Sequence, residues 1–217
     1  MTESASLQPS TLRERKKQIT RRMLVDAAVE LCVKRGYENT TVEQIAAAAD
    51  ISTRTFSRYF ATKEAVFIAV LDDLAAEIVA ELTTQPADLG PMEALRAAHM
   101  AVLGRVSRRP LVGLTKDRIA LILRIVNSSD ALRQAAIDYR YPAAMKILAR
   151  HMGVPPDDKR LDLGVALFST TIVSACSDLV DSTGDIDLGP EIVMERLEQT
   201  LGHVAQFAAD MDVDAPN

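Results

Sequence analysis

The spacing of apolar residues predicts α-helices along the whole chain. Apolar residues recur every three or four positions, the period that places side chains on one face of a helix. In the first predicted helix the recurring residues are Ile19, Met23, Ala27 and Leu31, and Gly36 ends the helix. The pattern and its breaks predict helices over residues 12–35, 42–49, 53–59, 63–82, 91–108, 111–127, 131–152, 157–182 and 190–209.

Composition supports an all-α fold. Aromatic residues make up only 4 % of the 217 residues, and Ala and Leu are abundant, which favours helices over β-sandwiches and barrels. We expect a three-helix domain over 12–62, a second helical domain over 63–210, and disordered tails at 1–11 and 211–217. Pro142 should kink the predicted 131–152 helix, because proline removes a backbone donor.

The second and third predicted helices have the length and the capping residues of a helix-turn-helix. Thr41 and Gln44 have the spacing of a capping box, in which the side chain of each residue accepts a hydrogen bond from the backbone N–H of the other. Residues 50–52 break the pattern, and Ser52 can cap the following helix. Two short helices joined by a tight turn indicate a helix-turn-helix, whose second helix reads the major groove of DNA.

Charge is distributed unevenly in a way that suits nucleic acid binding. Residues 1–63 contain 11 Lys and Arg against 7 Asp and Glu, whereas residues 64–217 contain 14 against 23, for a net charge of −5. Six cations lie within ten residues, at Arg13, Arg15, Lys16, Lys17, Arg21 and Arg22. Such a density suits phosphate contacts, although a solvated helix start would have the same composition.

Membrane and secreted proteins are disfavoured as classes. No apolar run reaches the roughly 18 to 20 residues of a membrane span, and the N-terminus lacks the apolar segment of a signal peptide. We therefore expect a cytoplasmic protein without a membrane partner.

Three stretches resemble the TetR family of bacterial regulators. They are GYENTTVEQIA at 36–46, ISTRTFSRYF at 51–60 and TKE at 62–64, and the resemblance covers roughly residues 15–75. It implies an N-terminal helix-turn-helix DNA-binding domain and a C-terminal helical domain for ligand binding and dimerisation. It further implies a bacterial repressor that binds a palindromic operator in double-stranded DNA as a homodimer and is released by a small ligand. Such a protein would be associated with the nucleoid when it is bound to DNA.

The same stretches supply candidate DNA-contacting residues. Arg54 is the most telling, because a cation at a helix N-terminus opposes the helix dipole and is better explained by a base or phosphate partner. Tyr59 and Lys63 resemble phosphate-binding residues of the family, although Tyr59 could equally be half-buried core, Thr41 a plain cap and Arg58 solvated. The candidates are Thr41, Ser52, Thr53, Arg54, Thr55, Ser57, Arg58, Tyr59 and Lys63.

The last two predicted helices are candidates for the dimer interface. Residues 164–177 contain no charged residue, and apolar residues lie on more than one face of this helix, so it must be covered on two sides. One face carries Leu161, Val165, Phe168, Ile172, Cys176 and Leu179, and Leu163, Leu167 and Val173 lie elsewhere. The final helix adds the stripe Val193, Leu197, Leu201, Val204 and Ala208. Filling of a monomer core is the alternative.

A ligand pocket is expected among the middle helices. The candidate residues are Met100, Leu103, Arg118, Leu121, Ile125, Arg140, Tyr141, Met145, Phe168 and Thr171, together with Leu148. Stripes of Leu, Ile and Met also form ordinary cores. Because the region from 116 to 133 is similar to regulators of the acyl-CoA-binding type, the ligand would be apolar or acyl-like, with Arg118 and Arg140 meeting an anionic head group.

An enzyme is disfavoured as the alternative class. Only His99, His151 and His203 could serve as imidazole bases, and no nucleophile motif or phosphate-binding glycine loop accompanies them. We expect neither a metal nor a cofactor. A nucleoid-associated or division-control protein on the same scaffold, without a small-molecule inducer, remains the competing DNA-binding function.

Overall fold

The protein is all-α, as the sequence predicts. The computed structural model describes residues 12–86, 88–111, 113–179 and 188–210, in which no β-strand occurs. The helices are α1 (Leu12–Arg35), α2 (Val42–Ala48), α3 (Thr53–Phe56), α4 (Lys63–Ile68), α5 (Asp72–Leu82), α6 (Pro91–Arg108), α7 (Lys116–Val126), α8 (Asp130–Ile137), α9 (Pro142–Met152), α10 (Lys159–Ala175) and α11 (Pro190–Asp210). The expected tails, and residues 180–182 of the predicted 157–182 helix, lie outside the described residues.

The chain divides into two compact units, Met1–Phe67 and Ile68–Asn217. We call them the amino-terminal unit and the carboxyl-terminal unit. The division lies five residues beyond the 62/63 boundary that the sequence suggests.

The core of the amino-terminal unit is formed by α1, α2 and α3. Leu24 and Ala28 of α1 are fully buried, as are Ile45 of α2 and Phe56 of α3. The apolar stripe predicted for α1 was partly wrong, because Ile19 and Met23 are exposed while Leu24, Val25, Ala28 and Cys32 are buried. The buried face of α1 is therefore rotated by about one residue from the predicted one.

The predicted third helix is shorter in the structure. Helix α3 ends at Phe56, after which hydrogen-bonded turns lead to Phe60. Several of these bonds span three residues rather than four, including Arg58 N to Thr55 O at 3.2 Å and Tyr59 N to Phe56 O at 2.8 Å. Such bonds tighten the end of a helix.

Two predicted long helices are each divided. Residues 63–82 form α4 and α5 with a 3₁₀ turn at Ala69–Leu71 between them, although the segment contains neither Gly nor Pro. At Pro142 the expected kink is a complete break, because proline begins α9 as its first residue. Tyr141 is extended, with φ −87° and ψ 114°, which is the conformation that a following proline favours.

Two other helices begin later than predicted because of their caps. Thr115 Oγ1 accepts a hydrogen bond from Arg118 N at 3.1 Å, so α7 begins at Lys116 rather than at 111. Asp158 Oδ1 accepts one from Arg160 N at 2.8 Å and starts α10 at Lys159.

Helix α6 is central in the carboxyl-terminal unit. It packs against α5, α9, α10 and α11, and its buried residues include Ala94, Ala98 and Val102. Leu197 of α11 is also fully buried within the same chain. None of the described helices combines the length and the apolar character that crossing a membrane requires.

Candidate functional site

A row of polar side chains projects from α3 and the turn after it. Thr53, Arg54, Ser57 and Arg58 are exposed, and Thr55 is half-buried. Ser52 caps the helix, since its Oγ accepts a hydrogen bond from Thr55 N at 3.2 Å. Among the described residues, the Arg54 guanidinium has no ion pair or hydrogen bond. We call residues 52–58 the α3 surface.

Other polar groups of the α3 surface are held in place by local contacts. Ser57 Oγ donates to Thr53 O at 3.1 Å, and the Arg58 guanidinium lies 5.5 Å from the centre of the Tyr59 ring. A hydrogen bond with Thr20 and the nearby charges of Arg58 and Lys17 lower the pKa of Tyr59. These contacts orient the side chains but leave the Arg54 charge available to an anionic partner.

Thr41 begins α2 with both halves of the predicted capping box. Its Oγ1 accepts a hydrogen bond from Gln44 N at 3.3 Å, and its own backbone N–H donates to Gln44 Oε1 at 3.1 Å. Thr41 is exposed, so its hydroxyl caps the helix at a position that solvent or a phosphate reaches.

Lys63 is engaged inside the amino-terminal unit. Its Nζ donates to Tyr37 O at 2.8 Å and lies 3.9 Å from the centre of the Tyr37 ring. The Tyr37 hydroxyl donates in turn to Glu64 Oε1. Tyr37 and Glu64 both lie within the family-like stretches. Their contact was not predicted from the sequence, because 27 residues separate the pair.

The Tyr37–Glu64 hydrogen bond changes the pKa of both groups. Burial, followed by the hydrogen bond to Glu64, raises the pKa of Tyr37, and the same hydrogen bond lowers the pKa of Glu64 below 4.5. A carboxyl group with a lowered folded-state pKa stabilises the fold above its unfolded pKa. That contribution is lost as the pH falls through the folded-state value.

Removal of the Tyr37 hydroxyl should therefore have a pH-dependent effect on stability. Tyr37→Phe should lower the free energy of unfolding by about 1 kcal/mol at pH 7, because the Glu64 carboxylate loses a donor. At pH 3.5 the difference from the wild-type protein should be smaller, because Glu64 is closer to being protonated. Denaturant unfolding of both proteins at the two pH values measures this, and an equal difference at both would contradict the assignment.

Helices of the carboxyl-terminal unit surround an apolar cavity of about 190 Å³. Its walls come from residues of α5 through α11, and most lining side chains are aliphatic or aromatic. Among the described residues that line it, none carries a Lys, Arg, Asp or Glu side chain. The polar lining residues are His99, Asn127, Tyr139, Tyr141 and Ser169.

The structure separates the predicted pocket residues into two groups. Those that line the cavity are Leu103, Tyr141, Met145, Leu148 and Phe168. Those that are not among the lining residues are Met100, Arg118, Leu121, Ile125, Arg140 and Thr171. The difference reflects helix phase: the cavity face of α6 is Leu95, His99 and Leu103, which leaves Met100 on another face.

The two arginines that were expected to meet an anionic head group have carboxylate partners in the chain. Arg118 Nη2 lies 3.8 Å from Asp73 Oδ2. Arg140 Nε donates to Asp162 Oδ1 at 2.9 Å, and its Nη1 donates to Ile137 O at 2.7 Å. Neither guanidinium lines the cavity, and no other Lys or Arg is among its described lining residues.

Two polar side chains at the cavity have fixed hydrogen-bonding roles. Asn127 Nδ2 donates to Leu123 O at 2.9 Å, and His99 Nδ1 lies 2.8 Å from Leu95 O. Burial lowers the pKa of His99 to about 4, so its imidazole is neutral near pH 7. Burial also raises the pKa of Cys176, a further lining residue, to about 12, which keeps its thiol protonated.

The last two helices carry large apolar side chains that are exposed. Leu163 and Leu167, one turn apart on α10, are 69 % and 43 % exposed, and Phe207 of α11 is 67 % exposed. The opposite face of α10 is buried at Leu161, Val165 and Phe168. The predicted stripe of α11 is divided, since Val193 and Leu197 are buried within the chain whereas Leu201 and Val204 are half-buried and Ala208 is exposed.

Within the described residues, no three His, Cys, Asp or Glu side chains are grouped so as to hold a metal ion. His99, His151 and His203 lie at separate positions on α6, α9 and α11.

Comparisons with known proteins match the amino-terminal unit to a family. Residues 24–70 match the family model described as bacterial regulatory proteins of the tetR family. The HTH-type transcriptional regulator TcmR of Streptomyces glaucescens is 37 % identical over 153 residues, which are 68 % of this chain and 66 % of that protein. YvkB of Bacillus subtilis (strain 168), an uncharacterised HTH-type transcriptional regulator, is 34 % identical over 65 % of this chain and 62 % of its own. The chain thus matches slightly less than two thirds of either relative's length.

A solved structure of similar fold is that of Thermus thermophilus FadR, a transcriptional repressor crystallised in complex with lauroyl-CoA. It is 25 % identical, and the match covers 91 % of this chain and 98 % of that one with a TM-score of 0.48.

Proposed function

Because the chain belongs to the TetR family of transcriptional regulators, we propose that it is a repressor that binds a palindromic operator as a homodimer and is released by a small apolar ligand. The observation that carries the proposal is the α3 surface. The Arg54 guanidinium, which has no ion pair or hydrogen bond among the described residues, lies on this capped helix, just after the turn that follows α2.

The physical basis for DNA binding is charge and geometry in the amino-terminal unit. The first residues of a recognition helix meet base edges in the major groove, so Thr53, Arg54 and Thr55 are the base-reading candidates. The candidates for the phosphate backbone are the exposed side chains of Thr41, Ser52, Ser57 and Arg58 and the half-buried side chains of Tyr59 and Lys63. The acidic remainder of the chain would repel DNA, which confines binding to this unit.

The homodimer proposal is supported by the exposed apolar side chains of Leu163, Leu167 and Phe207. Large apolar side chains with this exposure favour contact with another apolar surface, because burial of apolar area is favourable in water. A second copy of the chain presents the same residues and can pair with them about a two-fold axis. That symmetry matches an operator made of two inverted half-sites.

Release by a ligand is supported by the cavity. A ligand that prefers the DNA-free conformation lowers operator affinity by the ratio of its affinities for the two states. A typical coupling of about 1 to 3 kcal/mol corresponds to a roughly 5- to 150-fold change. Operator DNA must weaken ligand binding by the same factor.

Replacement of Lys63 should weaken binding without changing sequence preference. Lys63→Ala should lower affinity for operator and random DNA alike and reduce the slope of log affinity against log salt by about one, because one phosphate contact is lost. Salt titrations on both DNA molecules measure this. Arg150→Ala is the control: it removes one exposed charge from the carboxyl-terminal unit and should leave the slope unchanged. If Lys63→Ala weakened binding to the operator but not to random DNA, a phosphate role for Lys63 would be contradicted.

Genome-wide occupancy combined with transcript measurement tests the proposal. A repressor should occupy one or a few promoters, and deletion of its gene should raise transcription there. Many dispersed sites with no change in nearby transcripts would contradict a repressor and favour a nucleoid-associated or division-control protein.

A further inference from the structure

We propose that the cavity selects an uncharged apolar ligand the size of one or two aromatic rings, such as a phenol, that donates a hydrogen bond to Asn127 Oδ1 or His99 Nε2. This inference rests on the proposed function, because it names the chemical class of the ligand that would release DNA. It differs from an acyl-CoA ligand, whose head group is anionic.

The side-chain oxygen of Asn127 has no hydrogen-bond donor within the described part of the chain. Asn127 is only 8 % exposed and lines the cavity. Its amide orientation is fixed, since Nδ2 donates to Leu123 O at 2.9 Å and a carbonyl can only accept. Oδ1 is buried and has no hydrogen-bond partner among the described residues. Oδ1 has almost no exposed surface, so a ligand donor reaches it only when the side chains around it shift slightly. Because an unmatched acceptor is costly, a ligand whose donor reaches Oδ1 should be selected.

His99 supplies a second acceptor on the cavity wall. Its Nδ1 lies 2.8 Å from Leu95 O, so the proton of a neutral imidazole belongs on Nδ1. Nε2 then carries a lone pair and accepts. A pKa of about 4 keeps the ring neutral at physiological pH, and the His99 ring packs 4.8 Å from the ring of Phe168, centre to centre. Both wall positions therefore accept hydrogen bonds and favour a ligand that donates.

Size and charge restrict the ligand further. The volume of about 190 Å³ exceeds the roughly 150 Å³ of an apolar cavity that admits benzene and is below the roughly 300 Å³ at which pockets for drug-sized ligands begin. The lining residues provide no cation, because Arg118 and Arg140 lie outside the wall. An anion would be desolvated there without a counter-charge, which is strongly unfavourable.

Direct binding of three probes of similar shape tests the inference. Equilibrium dialysis of the full chain at pH 7 would compare 2-naphthol, which donates, with 2-methoxynaphthalene, which only accepts, and with the anion 2-naphthoate. 2-Naphthol should bind about tenfold more tightly than the methyl ether and roughly 100-fold more tightly than the carboxylate. Equal binding of the ether, tighter binding of the carboxylate, or no binding of 2-naphthol would overturn the inference.

Variants assign the preference to the two acceptors. Asn127→Leu and His99→Phe should each reduce the preference for 2-naphthol over its ether, and the double variant should bind the two equally. Asn39→Leu is the matched control, because Asn39 Nδ2 also donates to a carbonyl four residues back, Arg35 O at 3.0 Å, but away from the cavity. It should keep the wild-type preference. Thermal unfolding shows whether the double variant is folded. If the folded double variant still prefers 2-naphthol over its ether, the inference is also overturned.

Operator binding by the wild-type protein is measured separately, without any probe. Specific DNA binding together with no probe preference would mean that the ligand inference fails while the proposed function stands. If the protein bound no specific DNA but showed the predicted preference for 2-naphthol, the proposed function would fail and the ligand selectivity of the cavity would stand.

Discussion

Leu163→Glu together with Leu167→Glu should yield a folded monomer whose operator affinity is roughly 100-fold lower, because one half-site no longer assists the other. Both leucines are exposed in the single chain, so the substitutions leave its own core intact. In a dimer they would place unpaired carboxylates in an apolar interface, which costs about 3 kcal/mol or more.

Sedimentation velocity, thermal unfolding and operator titration of this double variant measure the three parts of the prediction. Val33→Glu is a matched control, because Val33 is 64 % exposed but lies on α1. It should remain dimeric. Leu197→Glu should instead unfold the chain, since Leu197 is fully buried within it. A double variant that sediments as an intact dimer would place the interface elsewhere.

Arg54→Ala should lose about 1 to 3 kcal/mol of binding free energy on the operator and accept substitutions at one base position, because a bidentate arginine contact discriminates between bases. On random DNA the loss should be small, since only one charge is removed. The physical reason is the exposed guanidinium on the first turn of α3, which no described residue engages.

Titration of operator, of operator variants at each position and of random DNA separates reading of a base from neutralisation of a phosphate. Arg150→Ala removes the same charge from an exposed position outside the α3 surface and should leave all affinities near wild type. Equal losses on operator and random DNA for Arg54→Ala would contradict a base contact.

Local signals explain the parts of the fold that the sequence predicted well. The Thr41 capping box and the Ser52 cap depend on residues three positions apart, so the start of α2 and of α3 can be read from the chain. Gly36 ends α1 with φ 79°, in the left-handed region that glycine adopts without strain. These features are decided by neighbours in sequence, and they place the α3 surface.

Tertiary packing explains what the sequence did not predict. The 3₁₀ turn at Ala69–Leu71 contains no Gly or Pro that would predict it. The Tyr37–Glu64 pair joins positions far apart in the chain. Which apolar residues border the cavity depends on the phase of each helix, so Leu103 lines it while Met100 does not. The presence of Leu, Ile and Met in a helix does not distinguish residues that line a cavity from residues of a packed core.

We propose that a dimer of this chain reads a specific palindromic sequence in DNA. Selection from a pool of random duplexes by the purified wild-type protein, followed by sequencing, tests it most directly. We expect enrichment of an inverted repeat whose half-site centres are about 34 to 36 Å apart, which is one helical turn, or a multiple of that distance. A pool in which no sequence is enriched, or in which only an unrepeated half-site is enriched, would contradict it.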